Sequence, residues 1–388
     1  MTIAIDERVR LLRVLYATIF LTSTGFGTAT FLTPVYASGL GADYVSLGLI
    51  GAARNLVYTV GTLTVGYLLD RFERVKIYMV FMTIGAVVVA LLGAVENVTY
   101  LILLNSLVGL FSASFWVTAS TLTVDISPSE ILTKSISYYN LSWILGFTVG
   151  PYFGGLISDA FGFKALFIIL SALIISSVAL SSIRIRPIIQ LRSRGSTNIA
   201  NLGSLKGLAL AYIILIPFTI LLGIYMAIVP GYLKIVGFSS ALVGLLLTVT
   251  NGFRGLAFYN SEWFVSKGIR RSVTMASLLF FTGMTMFSVA KSTLEYAIPL
   301  IMYGVASGIM TPLMLDYIAK RCEKSALGTA MGVHEGVYGL GMLIGPMAGG
   351  SIAESYGPST LYQLLAAIAL TMPFIAWILG KNEMPISS

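Results

Sequence analysis

The chain has 388 residues, of which 57% are hydrophobic and only 10% are charged. Soluble domains carry about 25% charged residues, so this composition excludes an ordinary soluble protein and indicates a chain surrounded by lipid. The formal net charge of +8 does not point to nucleic acid as a partner, because the basic residues lie in short groups between long apolar runs.

Apolar runs long enough to cross a bilayer follow one another along the chain. A spanning helix needs about 20 predominantly apolar residues, and breaks at charged, Gly, Pro, Asn and Asp residues separate twelve such runs. The first run is too long for the core of a signal peptide, and the connections are short. We therefore predict an all-α polytopic membrane protein with twelve transmembrane helices. In chain order the predicted helices cover residues 12–36, 45–69, 75–94, 98–124, 133–157, 164–183, 207–233, 240–264, 272–290, 296–319, 327–353 and 360–380.

The placement of lysine and arginine orients these helices. Most of the 24 basic residues fall in the two termini and in the connections on the same side of the bilayer. The opposite side holds only Lys164, Lys234 and Lys291. Because cytoplasmic connections carry the excess of positive charge, we expect a multi-pass plasma-membrane protein with cytoplasmic N- and C-termini.

The chain repeats itself at an offset of about 195 residues. The segment 139–162 reads YNLSWILGFTVGPYFGGLISDAFG, and the segment 334–357 reads HEGVYGLGMLIGPMAGGSIAESYG. The glycines and the proline of the pattern G-x-x-x-G-P-x-x-G-G coincide. This duplication predicts two parallel-repeat six-helix bundles, residues 1–186 and 207–388, joined by a cytoplasmic linker at residues 187–206.

The repeated pattern favours close approach of a neighbouring helix. Gly150 and Gly345 belong to rows of glycines spaced four residues apart, which form a smooth helix face. Pro151 and Pro346 each remove an intrahelical hydrogen bond and kink the helix. Two such seams suit bundles that rock against each other, so we predict a gating role for these four residues. Static tight packing is the alternative.

A loop motif links the chain to a known family. After the second predicted helix, residues 66–76 read GYLLDRFERVK. This segment resembles the loop signature of the major facilitator superfamily, G-x-x-x-D-R-x-G-R-K/R, with Glu73 in place of the usual glycine. A degenerate copy lies at residues 262–271, and the helix-five pattern is similar to the motif of drug and metabolite antiporters. The resemblance covers the whole chain and implies a carrier that works by alternating access.

The resemblance also implies a cytoplasmic latch around Asp70, Arg71 and Arg74. Asp70 is expected to face the N-terminal end of the eleventh helix, where the helix dipole favours an anion. Arg74 is expected to pair with Asp125 at the end of the fourth helix. For Arg71 the positive-inside bias is a sufficient alternative explanation.

Two arginines lie inside predicted helices, where a charge costs about 3 kcal/mol or more. Arg54 is near the middle of the second helix, and the repeat offset places Arg254 opposite Tyr58, one helical turn from Arg54. Guanidinium groups suit carboxylate, phosphate or nitrate oxygens, and some anion carriers of the family use arginines on these two helices. The competing interpretation is an ion pair between Arg54 and Glu335.

Proton coupling requires titratable groups within the bundle. Drug exporters often carry an arginine four residues before a glycine in the fourth helix, where this chain has Asn105 and Gly109. That route is therefore not expected here. The evident titratable candidates are instead Asp316, His334 and Glu335 in helices ten and eleven.

By family analogy, Trp116 and Tyr225 are candidate substrate contacts, although aromatic residues in such helices are more often packing elements.

Other functional classes fit less well. A membrane-embedded zinc peptidase is disfavoured because Tyr338 stands where the second histidine would follow His334. The duplicated glycine and proline pattern is less typical of a channel than of a carrier.

The sequence thus predicts a secondary transporter that exports drugs or metabolites in exchange for protons. The alternative is a transporter of a small inorganic or organic anion held by Arg54 and Arg254. We expect a monomer in the lipid bilayer, acting on a small-molecule substrate without a cofactor. One cysteine and one histidine leave few ligands for a metal and exclude an internal disulfide.

Overall fold

The computed structural model describes residues 5–185, 207–322 and 327–379, and over these residues the chain is helical without β-strands. The prediction of an all-α protein is confirmed for this part of the chain. The predicted linker at residues 187–206 lies outside the described residues. The α-helices are α1 (Ile5–Gly39), α2 (Tyr44–Arg71), α3 (Arg74–Leu92), α4 (Val98–Ile126), α5 (Leu132–Arg184), α6 (Ala209–Ala227), α7 (Val229–Ile235), α8 (Ser240–Tyr259), α9 (Ser261–Ser266), α10 (Ile269–Val289), α11 (Thr293–Arg321), α12 (Leu327–Tyr356) and α13 (Pro358–Leu379), with a short 3-10 helix at Ser129–Ile131.

Ten of the described helices are long and apolar enough to cross a membrane, namely α1, α3 to α6, α8 and α10 to α13. Large apolar side chains such as Leu103, Ile183 and Phe374 are exposed on their surfaces, as expected of helices that face hydrocarbon. Helix α2 is outside this group, because polar residues such as Arg54 and Asn55 lower its hydropathy. The chain is a multi-pass membrane protein, and the count of twelve helices stays a prediction.

A single glycine interrupts the 53-residue helix α5. Gly162 has φ 81° and ψ 165°, a conformation that residues with a β-carbon rarely adopt. The two helices predicted at 133–157 and 164–183 therefore appear as one helix with a break between them. Gly357, with φ 86°, separates α12 from α13 at the equivalent position of the repeat.

Two other predicted helices are divided. The run 207–233 becomes α6 and α7, and Pro230 lies in the first turn of α7, where a residue without an N–H group is tolerated. The run 240–264 becomes α8 and α9, with the non-helical Asn260 between them. Hydropathy alone does not reveal the break between α6 and α7, because Ala227, Ile228 and Val229 around it are apolar.

Contacts divide the chain into two compact units. Among the described residues, the first contains 5–185 and Val229–Thr248, and the second contains 207–228, 249–322 and 327–379. In the first unit α1 packs on α5, α2 packs on α4, and α3 packs on both α4 and α5. In the second unit α6 packs on α12, and α10 packs on both α11 and α13.

The repeated glycines lie where helices touch within each unit. In the first unit, a β-carbon at Gly150 would overlap Oγ1 of Thr28 and lie 3.3 Å from the carbonyl oxygen of Thr24. In the second unit, a β-carbon at Gly345 would lie 2.6 Å from the carbonyl oxygen of Ile220, which is equivalent to Thr24 in the repeat. Helix α5 therefore packs on α1 in the same register as α12 packs on α6. The backbone-to-backbone packing expected of these glycines is present.

Candidate functional site

Arg54 lies midway along α2 and is only 9% exposed. Its Nη2 atom donates to Oγ of Ser112 on α4 over 3.4 Å, and within the described residues its Nε atom has no hydrogen-bond partner. Helix α4 comes this close because Gly109 has no side chain: a β-carbon there would overlap the carbonyl oxygen of Arg54 and lie 3.1 Å from the amide nitrogen of Tyr58. A hydroxyl group contacts the guanidinium but does not neutralise its charge.

Asn105, at the place where drug exporters often carry arginine, takes part in the same helix contact. Its side chain is buried, and its Nδ2 atom donates to the carbonyl oxygen of Ile50 over 3.2 Å. This hydrogen bond ties α4 to α2 one helical turn before Gly109. Asn105 therefore anchors the helix pair that holds Arg54.

Arg254 occupies the matching helix contact of the second unit. A β-carbon at Gly304 on α11 would overlap the carbonyl oxygen of Thr250 and lie 3.3 Å from the amide nitrogen of Arg254. Gly109 stands in the same relation to α2 in the first unit, with Tyr58 at the place of Arg254. The two arginines are therefore offset by one helical turn on equivalent helices.

Three phenol groups surround Arg254. The buried rings of Tyr225 on α6 and Tyr303 on α11 are stacked with centroids 4.5 Å apart. The hydroxyl group of Tyr338 on α12 lies near the charge of Arg254. Side chains from three helices of the second unit thus lie near one guanidinium group on a fourth, and the phenols supply hydroxyl groups but no negative charge.

Trp116 belongs to an aromatic cluster of the first unit. Its ring centroid lies 5.4 Å from that of Trp143 and 5.9 Å from that of Phe147, both on α5. All three side chains are half-buried. This cluster offers an apolar, polarisable surface that suits planar or lipophilic groups and cations.

The three residues predicted to carry protons form two separate pairs in the second unit. Asp316 on α11 forms a salt bridge with Lys320, one turn along the same helix, over 2.9 Å. On α12, His334 is 4% exposed and its Nδ1 atom lies 3.2 Å from Oε1 of the half-exposed Glu335. The structure thus brings His334 and Glu335 together and pairs Asp316 with a lysine.

Arg74 and Asp125 connect the start of α3 to the end of α4. Nη1 of Arg74 and Oδ2 of Asp125 form a salt bridge, and the two side chains are 11% and 20% exposed. The guanidinium group of Arg71 lies 4.1 Å above the ring centroid of Tyr67. The side chain of Asp70 lies outside the described part of the structure. The pairing of Arg74 with Asp125 that the sequence suggested is present, and the gating roles of these residues stay predictions.

One contact was missed from the sequence. Asp159, near the end of the first part of α5, accepts hydrogen bonds from the amide nitrogens of Ser240 at 3.0 Å and Ala241 at 2.7 Å. A signal was available, because Glu354 holds the equivalent position in the repeated segment. Acidic residues at the equivalent position of both halves of the repeat indicate the same structural role.

Comparison with known families identifies the class of protein. The family model described as Major Facilitator Superfamily matches residues 15–198 and 208–387. The chain belongs to the Major Facilitator Superfamily. Membership confirms the family resemblance and makes the chain a transporter rather than an enzyme.

Relatives of this family match the chain along nearly its full length. An uncharacterised MFS-type transporter of Methanocaldococcus jannaschii is 24% identical over 375 residues, which cover 94% of this chain and 97% of the relative. The multidrug resistance protein MdtG of Proteus mirabilis is 23% identical over 379 residues, which cover 92% of this chain and 93% of the relative.

Solved structures share the fold. The nucleoside transporter NupG aligns with a TM-score of 0.78 at 17% identity, covering 96% of this chain and 100% of that one. A bacterial homologue of the human lysosomal transporter Spinster, in an inward-facing and occupied conformation, aligns with a TM-score of 0.79 at 13% identity, covering 98% of both chains. At these identities the likeness concerns the fold alone.

Proposed function

We propose that this transporter exports drugs or metabolites across the plasma membrane in exchange for protons, by alternating access. The multidrug resistance protein MdtG among its relatives supports a drug-like substrate. The half-buried cluster of Trp116, Trp143 and Phe147 supports the same class, because aromatic faces bind lipophilic cations well.

The observation that carries the proposal is that equivalent glycines make the same helix contacts in the two units. Gly109 fits against the backbone of Arg54 in the first unit, and Gly304 fits against the backbone of Thr250 in the second. Two six-helix bundles with the same helix contacts suit a mechanism in which each bundle moves as a rigid body. The glycine seams would then provide smooth surfaces for that movement.

The proposed topology has twelve spans. Dividing α5 at Gly162 and including α2 brings the ten apolar helices to that number. The bundles are proposed to cover residues 1–186 and 207–388 with the linker at 187–206, and both termini are placed in the cytoplasm on the basis of the positive charges.

Residue roles follow from position and chemistry. We assign substrate contact to side chains with a charge or an aromatic ring in the spans, proton transfer to the titratable groups of α11 and α12, and gating to the loop and seam residues. The substrate contacts are Trp116 and Tyr225, together with Arg54 and Arg254 for the anionic substrate of the alternative function. The proton-transfer residues are Asp316, His334 and Glu335, and the gating residues are Asp70, Arg71, Arg74, Asp125, Gly150, Pro151, Gly345 and Pro346.

Transport of a fluorescent cation tests the proposal. In everted membrane vesicles that contain the protein, we expect uptake of ethidium when the interior is acidic, and loss of that uptake when nigericin dissipates the pH gradient. His334→Gln and Glu335→Gln should each remove most of the gradient-driven uptake, because they alter the paired titratable groups of α12. Glu96→Gln, at an exposed position between α3 and α4, is the matched control and should transport like the parent. Uptake that ignores the gradient, or that survives in both α12 variants, would contradict proton coupling at this pair.

A second candidate function is transport of a small anion. The observation that favours it is the surroundings of Arg254, where Tyr225, Tyr303 and Tyr338 supply hydroxyl groups and aromatic faces. A carboxylate or phosphate would supply the negative charge that the phenols lack, and a guanidinium fork binds such oxygens bidentately.

Ligand-induced stabilisation separates the two functions. We expect ethidium and tetraphenylphosphonium to raise the melting temperature of the purified transporter, and benzoate, phosphate and nitrate to leave it unchanged, since a ligand stabilises the state that binds it. The opposite result is that the anions raise the melting temperature of the parent and of the control Arg270→Ala, but not of Arg54→Ala or Arg254→Ala. This result would favour transport of an anion over export of a drug.

A further inference from the structure

Helix α5 contacts the first part of α8 at several points inside the first unit, which includes Val229–Thr248. At one end of this contact, Oγ1 of Thr248 donates to the carbonyl oxygen of Thr148 over 2.5 Å. Further along, a β-carbon at Gly244 would overlap the carbonyl oxygen of Pro151. The proline of the repeated motif therefore lies directly against the backbone of α8.

The other end of this α5–α8 seam is held by Asp159. Both carboxylate oxygens are used, Oδ1 by the amide of Ser240 and Oδ2 by the amide of Ala241. These amides belong to the first turn of α8, where N–H groups have no partner within their own helix and the helix dipole favours an anion. Lys234 in α7 adds a positive charge near the same carboxylate. Charge-assisted hydrogen bonds of this kind are stronger than neutral ones.

Asp159 lies at the opposite end of the first unit from the Arg74–Asp125 salt bridge. Helix α4 ends at Ile126, next to Asp125, and α5 begins at Leu132 and runs back. At 1.5 Å per residue, the path along α5 to Asp159 measures about 40 Å, which is the full thickness of a bilayer. With the Arg74 end in the cytoplasm, Asp159 faces the outside.

Helix α8 is shared between the units. Its residues up to Thr248 group with the first unit, and those from Val249 onward, including Arg254, group with the second. Any movement of the second unit against the first must therefore either bend α8 or separate its first part from α5. At the outer end, Asp159 makes the charged contact that resists separation, beside the neutral hydrogen bond from Oγ of Ser38 on α1 to the carbonyl oxygen of Gly231 on α7.

We propose that Asp159 is an outer latch of the transport cycle. Its carboxylate, bound to the amides of Ser240 and Ala241, closes the α5–α8 seam on the non-cytoplasmic side and has to release these amides for the seam to open. The proposal rests on the alternating-access function given above. It assigns to the outer face a latch between a carboxylate and a helix N-terminus, which complements the cytoplasmic pair Arg74–Asp125.

The accessibility of the seam tests this latch without any substrate. A Cys322→Ser background with Thr248→Cys places one reporter thiol in the seam, and a membrane-impermeant maleimide is applied from outside to intact cells. Asp159→Ala is expected to raise the labelling rate about tenfold, since it removes two hydrogen bonds to a charged group. Asp43→Ala is the matched control: this acid caps α2, not α8, by accepting from the amide of Ser46, so its loss should leave the rate unchanged. Equal rates in the two variants would overturn the proposal.

A disulfide across the latch gives an independent measurement if Asp159→Ala fails to reach the membrane. With Asp159→Cys and Ala241→Cys in the reporter background, we expect slow reporter labelling after oxidation and fast labelling after reduction. Equal labelling in both states overturns the latch. Because neither measurement uses ethidium or a proton gradient, a latch that behaves as expected in a protein that exports no ethidium would count against the proposed substrate alone.

Discussion

Replacing Gly109 with valine is expected to abolish recovery of folded transporter. A β-carbon at this position would overlap the carbonyl oxygen of Arg54 and approach the amide of Tyr58, and both are backbone atoms that cannot turn aside. Overpacking a tight contact costs about 1–3 kcal/mol or more, and a branched side chain between two helix backbones lies at the upper end. Gly304→Val should have the same effect, because Gly304 meets the backbone of Thr250 in the same way. The yield of monodisperse protein in detergent measures both.

Gly332→Ala is the matched control for these variants. Gly332 is exposed on α12, and a β-carbon there would meet nothing within 4 Å. Since alanine is about 1 kcal/mol more favourable than glycine inside a helix, this variant should be recovered at least as well as the parent. Normal yields of both valine variants would contradict the close helix contacts. Loss of only one would contradict their equivalence.

Arg74→Ala and Asp125→Ala are each expected to lower the stability of the transporter strongly. The two side chains form a salt bridge that is largely buried, with exposed fractions of 11% and 20%. Removing one partner leaves the other charge buried and unpaired, at a cost of about 2–4 kcal/mol. The double variant Arg74→Ala with Asp125→Ala leaves no unpaired charge, so it should lose less stability than the two single losses added together. Melting temperatures in detergent measure the three variants.

Arg71→Ala is the control for this cycle. The Arg71 side chain is exposed and contacts the ring of Tyr67, so its removal should change stability by only about 0.5 kcal/mol. Additive effects of Arg74→Ala and Asp125→Ala would mean that the ion pair adds nothing to the folded state.

Features that repeat along the chain were predictable from the sequence. Hydropathy and the duplicated glycine pattern give the helical class, and the offset of the repeat gives the equivalence of Gly150 with Gly345 that the helix contacts display. The pairing of Arg74 with Asp125 was also accessible, because the loop motif at residues 66–76 resembles that of the family and the resemblance implies this pair.

Contacts between residues far apart in the chain were not predictable from the sequence. The contact of Asp159 with Ser240 joins residues 81 positions apart, and local pattern does not fix which helix end receives the carboxylate. The stacking of Tyr225 on Tyr303 next to Arg254 likewise depends on the register between three helices. Within an apolar chain nearly every helix face is apolar, so amphipathic periodicity, which identifies the buried face of a soluble helix, carries little information here.

Counterflow is the measurement that tests the central claim most directly, namely that the chain is a carrier with a site exposed to one side at a time. Proteoliposomes are loaded with unlabelled tetraphenylphosphonium and diluted into a trace of the radiolabelled cation, with protein-free liposomes as the baseline. We expect the labelled cation to accumulate transiently above its equilibrium level, because each outward passage of unlabelled cation returns the site to the outside. Uptake that rises to equilibrium without an overshoot, at a rate proportional to concentration, would contradict a carrier.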